Sequence, residues 1–217
     1  ARSFAQTPGT ISDEGVVISG ATWWLPVLDG KGGDPLMTFR LTVNLPPDWD
    51  VVSQGRRTLH EVVPEGVGSK LPTRRVVTWD CVHPMDEVYL IAARFTEYER
   101  AAGSVTAQAF LRAPDPNLAA KYLEATAQYI EMYRKLIGPY PFEKFALVEN
   151  FWETGYGMPS FTLLGPQVIR FPFILTSSYP HEILHNWWGN SVYVDWSKGN
   201  WCEGLTAYLA DHLMREG

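Results

Sequence analysis

A chain of 217 residues with 46% apolar residues, 19% charged residues and 9 tryptophans can bury a core, and its composition is that of a soluble globular protein rather than a disordered or fibrous one. A net charge of -6 argues against nucleic acid as the main partner, and the Arg56-Arg57 and Arg74-Arg75 pairs, too short and separated for a basic tract, read as solvated strand ends. No run approaches the ~18 apolar residues of a membrane span, the opening ARSFAQTPGT has no signal-peptide core, and the missing initiator Met leaves the compartment open.

In chain order, alternation predicts strands. In 36–45, Phe39, Leu41, Val43 and Leu45 share one face, with Thr38, Arg40, Thr42 and Asn44 on the other. Further strands are expected at Val16–Leu25, Trp49–Gln54, Leu59–Val63, Arg75–Trp79, Val88–Phe95 and Val105–Leu111, punctuated by segments such as LPPDWD, PEGVGSK and HPMD. Short strands with frequent turn signals predict an antiparallel β-sandwich over 1–112. Ala113-Pro114-Asp115-Pro116 then marks a stiff link and a helix start, which places a domain boundary there.

The second domain, 113–217, reads as mixed α/β. Tyr122, Tyr129, Tyr133 and Leu136, with Leu123, Ile130 and Ile137 beside them, define one side of a helix that stops at Gly138-Pro139. A strand over Lys144–Asn150 follows, then a Gly-rich segment from Glu153 to Ser160 and an apolar stretch through Leu164 and Val168 to Phe173. Helices are expected at about Ser178–Trp188 and Glu203–Arg215. Cys81 and Cys202, far apart in sequence, are read as free, buried thiols.

The chemistry is concentrated in His181 to Glu203, HEILHNWWGNSVYVDWSKGNWCE. His181 and His185 are four residues apart, so on a helix they project from one face with about 6 Å of rise and reach one ion. Glu182 points roughly 100° further round, beside the metal's open side, which is a general base's position. A catalytic zinc takes three protein ligands and a water, and Glu203 is the candidate third ligand. Asp211, eight residues on, is a candidate acceptor for a ligand histidine's free N–H.

HEILHNWWGN followed by WCEG resembles the zinc signature of the aminopeptidase N family of gluzincins, HExxHxWxGN with a later WxNEG. The resemblance implies an α+β chain in which the β-sandwich precedes a thermolysin-like catalytic domain, here its N-terminal part. It also implies one Zn2+ on His181, His185 and Glu203, with Glu182 as general base and proton shuttle for peptide hydrolysis.

Three departures follow. His185 and Glu203 are one residue closer than the family's usual spacing, with Trp-Cys-Glu in place of Trp-x-Asn-Glu. The family's Gly-x-Met-Glu-Asn exopeptidase motif resembles Gly155-Tyr156-Gly157-Met158-Pro159-Ser160, with Pro159 and Ser160 replacing Glu and Asn. The carboxylate that anchors a substrate's free amine is thus missing unless Glu149 or Glu153 takes over, while the backbone of Gly157 and Met158 still offers a strand edge for a peptide. The family's transition-state tyrosine and helical domain lie further downstream, and neither Tyr179 nor Tyr208 has the spacing to replace that tyrosine. The expectation is a piece of a longer protein that continues into a C-terminal helical domain. The leading reading is a zinc metallopeptidase acting on peptides; the alternatives are a non-catalytic peptide- or protein-binding relative and an endopeptidase.

Overall fold

The computed structural model describes residues 9–22, 24–26, 36–66 and 72–212. It divides into two compact units, Ala1–Phe95 and Thr96–Gly217. The first holds two antiparallel sheets. One has the order β1-β2-β7-β4, from β1 (Thr10–Ile11), β2 (Val16–Ile18), β4 (Asp50–Val52) and β7 (Leu90–Ala93). The other has the order β3-β6-β5, from β3 (Met37–Leu45), β5 (Arg56–Val63) and β6 (Arg74–Met85).

The alternation of β3 is realised as half-buried and exposed residues in strict turn. Trp79 of β6 is fully buried, and its Nε1 donates to the Val51 carbonyl of β4 at 3.0 Å, so a hydrogen bond links the two sheets through the core. Two expectations shift here. The strand expected over Val16–Leu25 ends at Ile18 and gives way to a 3-10 turn at Gly20–Thr22. The turn expected at His83-Pro84-Met85-Asp86 instead begins as strand: β6 runs on to Met85, past Pro84. The pairing of β5 with β6 stops at Arg56↔Asp80, whereas β3 pairs out to Met37↔Met85. Among the described residues, Pro84 thus lies past the last pair of β5 with β6, where a residue without an N–H is tolerated.

The second unit is built on a mixed five-stranded sheet of order β11-β12-β10-β9-β8. Its strands are β8 (Thr96–Ala102), β9 (Val105–Leu111), β10 (Lys144–Glu149), β11 (Gly155–Met158) and β12 (Phe161–Leu164). β9, β10 and β12 are parallel, and β8 and β11 close the two edges antiparallel. Because β8 and β9 pair into this sheet, the compact units part at Phe95, ahead of the proline link at Ala113-Pro114. All of β10 is buried, which explains a sequence, KFALVE, with no alternation.

The helix α1 (Pro116–Leu136) crosses from β9 to β10. Asp115 caps it, accepting from Leu118 N at 2.9 Å, and Pro116 opens its first turn. Its buried residues Ala119, Tyr122, Leu123, Thr126, Tyr129, Ile130 and Tyr133 recur at helical spacing. Leu136, expected on that face, is exposed. No helix among the described residues is long and apolar enough to cross a membrane.

Candidate metal centre

The helix α2 (Ser178–Leu184) carries the first half of the motif. Tyr179, Ile183 and Leu184 are buried on one side, and Tyr179 packs edge-on against Tyr122 of α1 while sharing a 2.6 Å hydrogen bond with Thr126. This leaves His181, Glu182 and His185 half-buried on the other side. The helix is shorter than the expected Ser178–Trp188 because Asn186 ends it. The Asn186 side chain donates to the carbonyls of Glu182 at 3.2 Å and Ile183 at 3.0 Å, which removes acceptors that a further turn would use. His185 keeps its helical bond to His181 O, so both imidazoles stay on one face.

The third donor comes from α3 (Trp201–Ala207), whose cap, Asn200, accepts from Glu203 N. The helix expected over Glu203–Arg215 starts slightly earlier and passes into a π-helical turn at Tyr208–His212; positions 213–215 lie outside the described residues. Trp188 Nε1 donates to Thr206 Oγ1 at 2.9 Å, which fixes α3 to the segment following α2. Three donor side chains then converge. His181 Nε2 and His185 Nε2 are 3.0 Å apart, and Glu203 Oε2 and Oε1 lie 3.3 and 3.4 Å from them.

This donor set fits zinc. Bonds of about 2.0–2.1 Å to a tetrahedral ion put neighbouring donors about 3.3 Å apart, close to all three separations. The His185 tautomer is also right. Its Nδ1 faces the Trp188 carbonyl at 3.4 Å, a group that only accepts, so the proton belongs on Nδ1 and the Nε2 lone pair faces the other donors. Burial, then the neighbouring His181, holds the His185 pKa below its ordinary value and keeps the ring in the neutral form a metal requires. Asp211 is exposed and makes no hydrogen bond to either histidine among the described residues, so it does not take the role considered for it.

Glu182 lies against the hairpin of β11 and β12. A Cβ on Gly157 would overlap Glu182 Oε2 and stand 3.7 Å from the His185 ring, so only glycine lets the strand approach this closely. Burial, with a smaller contribution from Glu203, pushes the Glu182 carboxyl up to about 7. The Pro159-Ser160 turn joins the two strands, with Ser160 at φ 68°, the left-handed conformation of the second central residue of a type II turn. Ser160 N donates to Asn186 Oδ1 at 2.7 Å, and the buried Lys144 ammonium donates to Ser160 Oγ at 2.7 Å and to its carbonyl at 3.2 Å. Asn186 thereby ties the hairpin to α2.

Asn186, Lys144 and the Trp188 carbonyl are not singled out by the sequence, and Ser160 stands out there only as a departure from the family motif. The one available signal was that Asn186 is four residues after Glu182, in reach of the same helical turn. Gly157 and Met158 lie on β11, the edge strand of the sheet, with Gly157 exposed and Met158 buried. The two carboxylates considered as substitute amine anchors are engaged elsewhere. Glu149 is buried and accepts from Arg112 N at 2.8 Å and Arg170 Nη1 at 2.6 Å. Glu153 accepts from Gln167 N and Val168 N, at the start of a 3-10 turn. Cys81 and Cys202 are buried thiols not joined in a disulfide.

Comparison with solved structures finds chains of similar fold among zinc peptidases. The chain is similar to an M1 zinc metallopeptidase from Deinococcus radiodurans, with a TM-score of 0.68 and 18% identity over 96% of this chain and 48% of the other. A mutant of the M1 enzyme from that organism bound to a Tyr-Ser-Ala substrate matches with a TM-score of 0.60 and 18% identity, over 85% of this chain and 41% of the other. A two-domain M1 mutant bound to L-arginine matches with a TM-score of 0.53 and 17% identity, over 75% of this chain and 36% of the other. The chain thus spans about half the length of the first of these structures. No protein-family model matches the sequence, and no curated protein matches it. The likeness is one of fold: a mixed α+β chain with several antiparallel strand pairings, as in M1 zinc metallopeptidases.

Proposed function

We propose that this chain carries the catalytic zinc centre of a metallopeptidase. His181, His185 and Glu203 hold one Zn2+, Glu182 is the general base, and the β11 edge at Gly157 and Met158 receives the peptide. The observation that carries this reading is the convergence of two imidazole nitrogens and a carboxylate within 3.0–3.4 Å, beside a second, desolvated carboxylate. Zinc held there supplies Lewis acidity, acidifying water towards neutral pH and polarising a carbonyl.

The chain's own residues do the rest. Glu182 takes a proton from the attacking water and delivers it to the leaving amine nitrogen, and its position against Gly157 keeps it next to a peptide on β11. A two-residue hairpin makes Met158 and Phe161 its closing hydrogen-bonded pair, so the N–H and C=O of Gly157 face the open edge and are available to a substrate backbone. Replacing Gly157 by alanine is expected to leave zinc content unchanged and to lower hydrolysis about 10²-fold by displacing the Glu182 carboxylate. Metal analysis beside steady-state kinetics checks this, and wild-type turnover in the variant would remove Gly157 from the site.

The engagement of Glu149 and Glu153 favours cleavage that does not require a free amino terminus. A substrate ammonium brought here without an opposing carboxylate would lose hydration without compensation. An N-acetylated peptide is therefore expected to be cleaved at least as fast as its free-amine copy. A strong preference for the free amine would return the protein to aminopeptidase habit, and absence of cleavage of both would favour a non-catalytic binding role.

A further inference from the structure

We infer that Cys202 is a positioning residue for the zinc ligand His185, an inference that rests on the reading of this site as a zinc centre. The sulfur lies on the side of the imidazole away from the other two donors. Cys202 Sγ is 3.6 Å from His185 Nδ1 and donates to the Trp188 carbonyl at 3.4 Å, the same carbonyl that faces Nδ1. One acceptor therefore serves both the ring N–H and the thiol.

The ring has little other support at this edge. The Nδ1 contact to Trp188 O is long and comes from only three residues along the chain, so by itself it leaves the ring free to tilt. Gly189, at φ 98°, closes the remaining side so tightly that a Cβ there would meet Cys202 Sγ at 3.2 Å and His185 Nδ1 at 3.3 Å. The buried thiol fills the space left between Gly189 and the ring. Its S–H orients the Trp188 carbonyl, and its sulfur blocks rotation of the imidazole away from Glu203. Cys202 precedes Glu203 directly, so a single turn of α3 supplies one ligand and holds another.

Zinc affinity is the direct test, measured on the protein by competition with a chelator. Cys202→Ala, which lacks the donor, and the bulkier Cys202→Val are each expected to bind zinc about 10–100-fold more weakly, and either one suffices if the other does not fold. Cys202→Ser, which keeps an O–H in place of the S–H, is expected to stay within about threefold of wild type. A residue with only a packing role would lower the melting temperature of the metal-free protein in all three without this pattern in affinity. Wild-type zinc affinity in both apolar variants, or an equal loss in Cys202→Ser, overturns the inference while leaving the metal site intact. A wild-type protein that binds no zinc overturns this inference and the zinc reading together.

Discussion

Glu182→Gln is expected to retain zinc and to lose peptide hydrolysis by about 10²–10⁴-fold. The substitution keeps the size of the side chain, and Glu182 is not among the three converging donors, so the metal has no reason to leave. What goes is the carboxylate beside Gly157 that would accept a proton from water. Metal analysis and single-turnover kinetics on the same sample separate the two effects, and near wild-type hydrolysis by the variant would sink the assignment of the base.

The same substitution has a second signature in the metal-free protein. The folded carboxyl titrates at about 7 against an ordinary value of 4.5, so between these pH values the folded state binds more protons than the unfolded one. Stability therefore falls as pH rises from about 4.5 to 7, and the cost is fully present above that range. Glutamine does not ionise. The metal-free variant should be more stable than wild type by up to about 3 kcal/mol at pH 8 and similar to it near pH 4.5, as read by chemical denaturation. A bound dication acts in the opposite sense and holds the carboxyl ionised for its work as a base.

His185→Ala is expected to abolish zinc binding at micromolar metal. Removing it leaves one imidazole and one carboxylate that is more than half exposed, too few donors for a tetrahedral ion. The zinc-dependent rise in melting temperature should vanish with it, and retention of that rise would exclude His185 as a ligand. Wild-type zinc affinity should fall as pH drops below about 6, because both imidazoles must be neutral to bind. The lowered pKa of His185 moves its share of the proton competition to lower pH.

The residues that the sequence revealed are those whose partners lie within one period of their own element. His181, Glu182 and His185 share one or two helical turns, the tyrosines of α1 are seven and four residues apart, and β3 alternates, so each is readable from spacing alone. Features set by distant partners were not. The end of α2 depends on where Asn186 points, and its acceptor atom is taken by Ser160, far back in the chain. The course of β6 past Pro84 depends on where β5 stops pairing. The membership of β8 and β9 in the second unit depends on β10, which lies beyond α1. Cys202 was assigned only as a buried thiol, because the loop between Gly189 and Trp201 has no periodicity to show that it folds back onto His185.

The shortness of α2 has a consequence for assembly. A seven-residue segment lies well below the roughly 12–15 residues at which an isolated helix becomes even marginal in water. Its last carbonyls and the hairpin turn share one asparagine side chain, so the helix that presents the histidines and the β11–β12 hairpin support each other. The short helix and the hairpin are therefore expected to form a single cooperative unit, gained together on folding and lost together on local opening.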